Sequence, residues 1–399
     1  MKSILFAIII SSCFIFSTDS GRTPPKGATQ RIIIFMLDGF GPEYYRSSVM
    51  PTLNRMEKKG IFKVVPSLMP SVTNVNNAAI CTGELPSING ITGNSYYNLN
   101  TGQEEFMEDS SLVLCPTIFQ RAGTAGVKSA LFSSKKKTTT LLLAGASLVL
   151  SPETASQEWI SRMGTPPSVY SAEVNYWLMN AALYTMKHDP SISLYYIHTT
   201  DYPMHTWAPE EKESRDHLNK IDSLINEMLK LDPNAMVLIT ADHTVHHKDV
   251  CVDIEKASLK KNAPVKIAIS AERDRYYKQH RGFGGTSYVY LNKKEDLDKV
   301  KKAIASIKGV EQILTRAEAA KKFSLMPDRI GDLVVLADKQ TTFGNLDSTE
   351  SEQLPASYRT HGSTYEVGVP VFIYNAKNAP SADYFTANYK LAAWLFRNK

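Results

Sequence analysis

The stretch RIIIFMLD, residues 31–38, decides the fold class of this chain. It is a short, almost continuous apolar run rich in β-branched residues, which is typical of a strand buried on both faces of a parallel sheet. Similar runs recur along the chain with helical spacing between them. This alternation predicts an α/β fold with a mainly parallel central sheet flanked by helices. The predicted strands of that sheet are 31–37, 128–132, 192–197, 235–240 and 369–374.

The sequence pattern of the chain changes after residue 250, and the earlier pattern returns before the last strand. Lysine-rich helical segments and short strands fill residues 251–355, which we interpret as a smaller inserted α/β cap. Residues 28–250 and 356–399 would then form the catalytic core. The helices expected in the core are 51–59, 115–122, 172–187 and 210–231; those in the cap are 294–307 and 315–322, with cap strands at 266–270, 287–291 and 332–337.

The N-terminus reads as a secretory signal. Residues 1–20 carry Lys2, a short apolar run and small polar residues, and the run is too short to span a membrane. We therefore expect a secreted or periplasmic protein with no transmembrane segment in the mature chain. A lipoprotein anchor at Cys13 is the alternative interpretation of the same stretch.

Charge and cysteine content exclude two classes of protein. The 399 residues contain 45 Lys+Arg and 40 Asp+Glu, a formal net charge of +5, which excludes the strongly basic balance of a protein that coats a nucleic-acid polymer. After removal of the signal, three cysteines would remain. They allow at most one disulfide, so the chain is no disulfide scaffold.

Three of the predicted strands end in aspartate. Asp38, Asp201 and Asp242 follow the runs at 31–37, 192–197 and 235–240. Ligands of open α/β sheets bind beyond the carboxyl ends of the strands, so these residues are expected to meet although they are far apart in sequence.

Histidines accompany the aspartates. His205 comes four residues after Asp201, His243 directly follows Asp242, and His361 lies in the loop THGST before the last strand. Aspartate and histidine together suit zinc or another divalent transition ion better than calcium or magnesium. A single Asp-His pair at a strand end is more often a loop cap, and it is the convergence of three strand ends that favours a metal site.

The segment PSVTNVNNAAICTG, residues 70–83, predicts an extended approach followed by a helix that closes at Gly83. Thr73 then lies near a helix N-terminus, where partial positive charge favours an anionic oxygen. Next to a metal ion it would be a nucleophile. From this segment alone, the alternative that Thr73 or Asn74 is only a helix N-cap is the preferred interpretation.

The order of these residues resembles the alkaline phosphatase superfamily of two-metal phospho-transfer enzymes. The resemblance covers nearly the whole mature chain and implies two Zn²⁺ ions. It assigns one to Asp201, His205 and His361, and the second to Asp38, Asp242 and His243, with Thr73 bridging as the nucleophile. Asn94 in GNSYYN is similar to the oxyanion-binding asparagine of the nucleotide pyrophosphatase/phosphodiesterase branch. The arylsulfatase branch is disfavoured because no C-x-P-x-R motif stands at the nucleophile.

Within the superfamily, several segments look most like phosphonoacetate hydrolase, among them MPSVTNVNN, PSINGITGN, FSSKKKTTTLL and YRTHGSTYEVGVPVFIYN. The resemblance implies that Lys135 and Lys137 hold the carboxylate of the substrate. Lys136 would point away if the segment is extended. The implied reaction cleaves the C–P bond of phosphonoacetate to acetate and phosphate through a phospho-threonine, with Asn94 and the Asn74 amide stabilising the phosphoryl oxygens. A solvated lysine loop is the alternative.

Other functions of the same site stay open. A secreted nucleotide pyrophosphatase/phosphodiesterase or a phosphomonoesterase would use the same ligands, and stacking of a base on Tyr96 or Tyr97 would favour the diesterase. A phosphomutase and a non-catalytic binding protein are further alternatives. The expected partner is a small phosphorus-containing anion, and a homodimer is left open.

Overall fold

The computed structural model describes residues 30–397. The predicted signal peptide at 1–20, including Cys13, lies outside the described residues. Between residues 30 and 397, no helix combines the length and apolar character needed to cross a bilayer. Cys81, Cys115 and Cys251 are free thiols.

A seven-stranded sheet forms the centre of the fold. Its central strands are apolar and buried. Five of the seven strands run parallel, namely four of the predicted strands and Leu148–Leu150, which was not predicted, so the sheet is mainly parallel as expected. The other two, at one edge, pair antiparallel with their neighbours. Across the sheet the order is Ile61–Pro66, Gly368–Tyr374, Met236–Thr240, Ile32–Met36, Ile192–His198, Lys128–Ser133 and Leu148–Leu150.

Helices flank this sheet, so the α/β prediction is confirmed. The largest hydrophobic cluster joins the sheet to these helices, among them Glu173–His188 and Lys212–Leu231, which pack on each other. In chain order the helices are Pro42–Ser47, Pro51–Lys59, Thr73–Thr82, Pro86–Asn89, Ile118–Thr124, Lys136–Leu142, Gln157–Met163, Glu173–His188, Tyr202–Thr206, Lys212–Leu231, Ile254–Lys260, Leu297–Ala305, Arg316–Phe323 and Lys390–Ala393.

A second, four-stranded antiparallel sheet lies in the part of the sequence interpreted as a cap, and it has hydrophobic clusters of its own. A three-stranded sheet pairs Val250–Val252 with two strands from that same part, so the expected boundary after residue 250 falls inside a strand. The four-stranded order is Ile267–Ser270, Thr286–Tyr290, Leu333–Ala337 and Val310–Thr315; the remaining strands are Thr341–Phe343 and Ser351–Gln353 beside Val250–Val252, the pair His246–His247 and Arg359–Thr360, and the hairpin Ser95–Asn98 and Gln103–Phe106.

Some element bounds differ from the sequence prediction. The helix expected at 115–122 is Ile118–Thr124, because Thr117 and Gln120 form a capping box that sets its start. The helix expected at 294–307 is divided into a 3-10 turn at Lys294–Asp296 and the α-helix Leu297–Ala305. Such shifts of a few residues arise because caps, rather than apolar periodicity, decide where a helix begins.

Asp222, on helix Lys212–Leu231, caps the start of the neighbouring helix Pro51–Lys59. Its carboxylate accepts hydrogen bonds from the Thr52 and Leu53 amides at 3.0 and 2.9 Å, and the residue is buried. We expect Asp222→Ala to lower the free energy of unfolding by about 1–3 kcal/mol, because two helix N–H groups lose their acceptor. Urea denaturation measures the change. Asp216→Ala on the same helix, whose exposed side chain pairs with Lys212, is the control and should leave stability almost unchanged. Equal losses in both variants would contradict the cap.

Candidate functional site

Four neighbouring parallel strands of the central sheet end at one place. Across the sheet they are Met236–Thr240, Ile32–Met36, Ile192–His198 and Lys128–Ser133. Because parallel strands share a direction, their carboxyl ends lie along one edge. Each is followed within three residues by a predicted site residue, which is Asp242, Asp38, Asp201 and Lys135 respectively.

Two further elements reach the same edge. Strand Gly368–Tyr374 runs antiparallel to Met236–Thr240, so its beginning lies at this edge, and His361 precedes it. Strand Ile61–Pro66 runs antiparallel to Gly368–Tyr374 and therefore in the direction of the parallel strands. Its carboxyl end leads into the helix that starts at Thr73.

The six predicted metal ligands form two buried groups. In each group the candidate ligand atoms lie within 4.8 Å of one another. One group is Asp201, His205 and His361, and the other is Asp38, Asp242 and His243. These are the two sets that the resemblance implied.

The three histidines of these groups orient their rings in the same way. Nδ1 of His205, His361 and His243 faces a backbone carbonyl oxygen at 2.7, 2.8 and 3.1 Å. A carbonyl only accepts, so in the neutral ring the proton is on Nδ1 and the Nε2 lone pair is directed at the carboxylates. Metal-binding histidines usually hold their second nitrogen in this manner.

Two other buried histidines, His198 and His280, carry the ring proton on Nε2, the nitrogen that faces a carboxylate. His198 Nε2 lies 3.1 Å from Asp38 Oδ2, and its Nδ1 lies 2.8 Å from Ser133 Oγ. His280 Nδ1 accepts the Gly282 amide hydrogen at 3.0 Å, which leaves the proton on Nε2. The His198 ring is fully buried against the Asp38 carboxylate, so it supports that candidate ligand.

The residues fit divalent cations. Among the described residues, several buried atoms of the two groups have no hydrogen-bond partner, and each such atom costs about 1–3 kcal/mol. They are Asp38 Oδ1, Asp242 Oδ2, His243 Nε2 and His361 Nε2. The Lys135 ammonium lies 2.9 Å from Asp38 and 2.7 Å from Asp201, so a cation already stands between the groups. Oxygen and imidazole nitrogen donors in this number suit zinc or another divalent transition ion.

The carboxylates perturb one another. Burial and Asp201 raise the pKa of Asp38, but Lys135 and His198 outweigh them and hold it below its ordinary value. Burial and Asp38 raise the pKa of Asp242 well above its ordinary value. Burial lowers the pKa of His361, yet Glu272 and Asp201 raise it well above the usual range. The cluster thus holds protons that bound cations would displace.

Thr73 is the first residue of helix Thr73–Thr82 and is buried. Its N-cap is Val72, in extended conformation, so neither Thr73 nor Asn74 is the cap residue. His361 joins this region directly, because its Nδ1 donates to the Ser71 carbonyl. The predicted nucleophile therefore lies at a helix N-terminus two residues from a contact of the metal groups.

Asn74 and Asn94 contact each other. The Asn74 amide donates to Asn94 Oδ1 at 3.0 Å, and Asn94 Nδ2 donates to the Glu272 carbonyl at 3.0 Å. The Asn74 side chain donates to the Met107 carbonyl. The two predicted oxyanion donors are thus brought together, but in this structure each is bonded to protein.

The lysine segment is not extended as expected. Helix Lys136–Leu142 begins inside it, with Lys135 as the N-cap residue. Lys135 and Lys137 are nevertheless buried while Lys136 is exposed, because Lys135 turns in before the helix and Lys137 lies on its inner face. Lys137 forms a buried ion pair with Asp274.

Three further residues are buried beside the site and were not predicted from the sequence. They are Glu272, Asp274 and His280. His361 Nε2 lies 3.0 Å from Glu272 Oε1, and His280 Nε2 lies 3.5 Å from Asp274 Oδ1. A signal was present in the sequence, since Glu272 and Asp274 lie two and four positions after the predicted strand 266–270. Their approach to the core depends on how the second sheet packs, which the sequence pattern does not specify.

Glu366 supports two of the loops that carry the candidate ligands. It accepts from the Ser363 amide, next to His361, and from Lys248 Nζ at 3.0 and 2.9 Å. Burial raises the pKa of Glu366, but Lys248 and His246 hold it below its usual range. Its partner His246 has a pKa raised to about 9 by Glu366 and Glu43 despite burial.

A family model matches residues 32–364, and its description is type I phosphodiesterase / nucleotide pyrophosphatase. The chain belongs to this family. The resemblance to the alkaline phosphatase superfamily is thereby confirmed, together with the class of enzyme, a hydrolase.

Curated relatives of this type I phosphodiesterase family protein match over shorter stretches. Bis(5'-adenosyl)-triphosphatase ENPP4 of Bos taurus is 25% identical over 264 residues, which are 63% of this chain and 54% of the relative. Venom phosphodiesterase 2 of Crotalus adamanteus is 36% identical over 86 residues, 20% of this chain and 11% of the relative. The matched part spans about half the length of the bovine protein.

Solved structures match over nearly the whole chain. Phosphonoacetate hydrolase from Sinorhizobium meliloti 1021, in complex with phosphonoacetate, has a TM-score of 0.82 at 28% identity and covers 92% of this chain and 95% of its own. Murine ectonucleotide pyrophosphatase / phosphodiesterase 5 has a TM-score of 0.65 at 14% identity, covering 86% and 88%. The second likeness concerns the fold alone.

Removing divalent cations should lower thermal stability. Cations that bind only the folded protein stabilise it by about 2.7 kcal/mol per site at one hundred times their dissociation constant. We expect a chelator to lower the melting temperature of the protein and reloading with a divalent transition ion to restore it. His243→Ala should lose about half of that recovery. His247→Ala, which removes a half-buried histidine paired with Asp249, should keep all of it. A melting temperature that the chelator does not change would contradict the presence of a metal site.

Proposed function

We propose that this protein is a two-zinc hydrolase that cleaves the C–P bond of phosphonoacetate to acetate and phosphate through a phospho-threonine. The observation that carries the proposal is the position of Lys135. Its buried ammonium lies within 2.9 Å of carboxylates from both metal groups, in a chain similar over 92% of its length to a structure that holds phosphonoacetate.

The metal groups would each hold one Zn²⁺ ion. Asp201, His205 and His361 would bind the first; Asp38, Asp242 and His243 the second, with Thr73 beside it. Bound zinc supplies a Lewis acid and makes the hydroxyl group of the nucleophile more acidic. His198 supports this arrangement by holding Asp38 at 3.1 Å.

The reaction begins with attack of Thr73 Oγ on phosphorus. The P–O bond forms, the C–P bond breaks, and its electron pair goes to the CH₂ carbon. Delocalisation into the substrate carboxylate stabilises this pair as an enolate, and a proton then completes acetate. Water hydrolyses phospho-Thr73 to phosphate, so the net change is the addition of one water. The Asn74 amide and Asn94, which lie together at the start of the helix, are proposed to bind the phosphoryl oxygens.

Lys135 and Lys137 are proposed to hold the carboxylate that receives the electron pair. Both ammonium groups are buried, where charge interactions are stronger than at the surface. They follow the strand Lys128–Ser133, at the edge where the metal groups lie. Their position favours a small anion with two charged ends over a bulky diester.

A nucleotide phosphodiesterase or phosphomonoesterase is the second candidate, and the family description favours the diesterase. An aromatic platform for a base would support it. Tyr96 and Tyr97 do not offer one, because both are buried, Tyr97 with its ring 5.1 Å from that of Tyr290.

We also propose export to the periplasm or medium, on the pattern of residues 1–20. The inserted part is proposed to act as a cap, since Glu272 and Asp274 reach the metal groups and Lys137 from it.

Thr73→Ala should lower turnover by at least about 10³-fold, because the proposed nucleophile is lost. Zinc content, measured by elemental analysis, should stay at two ions per chain if Thr73 adds little to metal affinity. Phosphate release from phosphonoacetate is the assay. Thr82→Ala, at the other end of the same helix, is the control. A Thr73→Ala enzyme of near-normal activity would refute the assigned nucleophile.

Lys135→Ala should lower kcat/KM for phosphonoacetate roughly 30-fold or more, because a buried charge partner of the substrate is removed. Zinc-loaded protein is assayed in parallel on phosphonoacetate, a nitrophenyl monoester and a nucleotide diester. Lys136→Ala, the exposed neighbour, should leave all three unchanged. Equal losses on all three substrates in Lys135→Ala would mean that the lysine does not select the carboxylate, and diester cleavage as the main activity would favour the second candidate.

A further inference from the structure

Glu272 reaches the metal groups from the second sheet. It follows strand Ile267–Ser270, is 2% exposed, and its backbone carbonyl is held by Asn94 Nδ2 at 3.0 Å. Gly284 makes room for it, because a Cβ at position 284 would come within 2.5 Å of Glu272 Cβ. The segment is therefore packed tightly enough to fix the direction of this side chain.

The contact with His361 is not a normal hydrogen bond. Glu272 Oε1 lies 3.0 Å from His361 Nε2, yet that nitrogen has no partner of hydrogen-bond geometry among the described residues. His361 donates Nδ1–H to the Ser71 carbonyl at 2.8 Å, so Nε2 is the nitrogen that faces the Glu272 carboxylate. The second oxygen, Oε2, is also buried, and none of residues 30–397 forms a hydrogen bond with it.

A shared cation satisfies all of these atoms at once. Asp201 Oδ2 lies 3.7 Å from the same Nε2, on the ligand group of His361. We propose that Glu272 is a further ligand of the metal ion held by Asp201, His205 and His361. This inference rests on the metal centre of the proposed function and not on the choice of substrate.

His280 supports Glu272 in this role. Its Nε2 carries the proton, because Nδ1 accepts the Gly282 amide hydrogen, and it lies 3.6 Å from Glu272 Oε1. The two metal groups then differ in kind, since the first has two carboxylates and two imidazoles and the second has two carboxylates and one imidazole. On this proposal, the inserted part of the chain supplies a metal ligand in addition to acting as a cap over the site.

The test measures metal binding without substrate. Metal-free wild type, Glu272→Gln and Asp274→Asn are titrated with Zn²⁺ against a chromophoric chelator. Asp274→Asn is the matched control, because it neutralises a buried carboxylate two residues away that pairs with Lys137. Glu272→Gln should weaken one of the two sites by more than about 100-fold, beyond the loss expected for a supporting residue. Asp274→Asn should keep both affinities within a few-fold.

The absorption spectrum of the Co²⁺-loaded protein distinguishes a Glu272 that binds the metal from one that only lies near it. In Co²⁺-loaded protein, loss of a ligand changes the coordination number and hence the visible absorption of that site. An altered spectrum in Glu272→Gln supports the proposal; an unchanged spectrum overturns it, whatever the change in affinity, and leaves Glu272 as an ion-pair partner of His361. Melting of the metal-free variants checks folding. If the Gln variant does not fold, Glu272→Asp decides in the same way, because a shorter carboxylate must alter the cobalt spectrum if it is a ligand.

Discussion

Repulsion among buried carboxylates is the constraint on which this site depends. Asp38, Asp201 and Asp242 lie at the ends of three adjacent strands, where water cannot screen them. Nearby positive charge and hydrogen-bond donors reduce this repulsion. Lys135 stands between two of the three, and His198 donates to one of them. Histidines held through Nδ1 complete the two groups, whose negative charge would be neutralised by bound divalent cations.

Anchoring through backbone carbonyls makes the site rigid. The carbonyls that hold His205, His361 and His243 belong to Arg359, Ser71 and Thr244, which lie in segments that carry or adjoin the candidate ligands themselves. Glu366 and Lys248 form a buried ion pair beneath two of these loops. A ligand that moves must therefore break a backbone contact as well, which favours one arrangement of the rings.

Much of the fold and of the candidate site was predictable from the sequence, because parallel strands bring residues that are distant in sequence to the same edge of the sheet. The apolar runs predict the sheet, and the residues that follow them predict Asp38, Asp201 and Asp242 at one edge. The sequence pattern places His205 beside Asp201 and His243 beside Asp242, whereas the division of the six ligands into two metal groups was implied by the family resemblance. Glu272 was not predictable, because its place depends on how a second sheet packs on the first. The helix at Lys136 was missed because polar lysines and threonines carry no apolar periodicity.

The last core strand enters the sheet antiparallel, and this has a consequence for how the molecule is assembled. His361 precedes that strand, whereas Asp201 and His205 lie 160 and 156 residues earlier, with the whole insertion between them. A metal ion bound to all three acts as a cross-link that closes this long loop, and closing long loops removes much conformational freedom from the unfolded chain. A nascent chain that has not yet reached residue 361 cannot form the complete group, so metal capture would be a late event that locks the C-terminal strand into a sheet already begun.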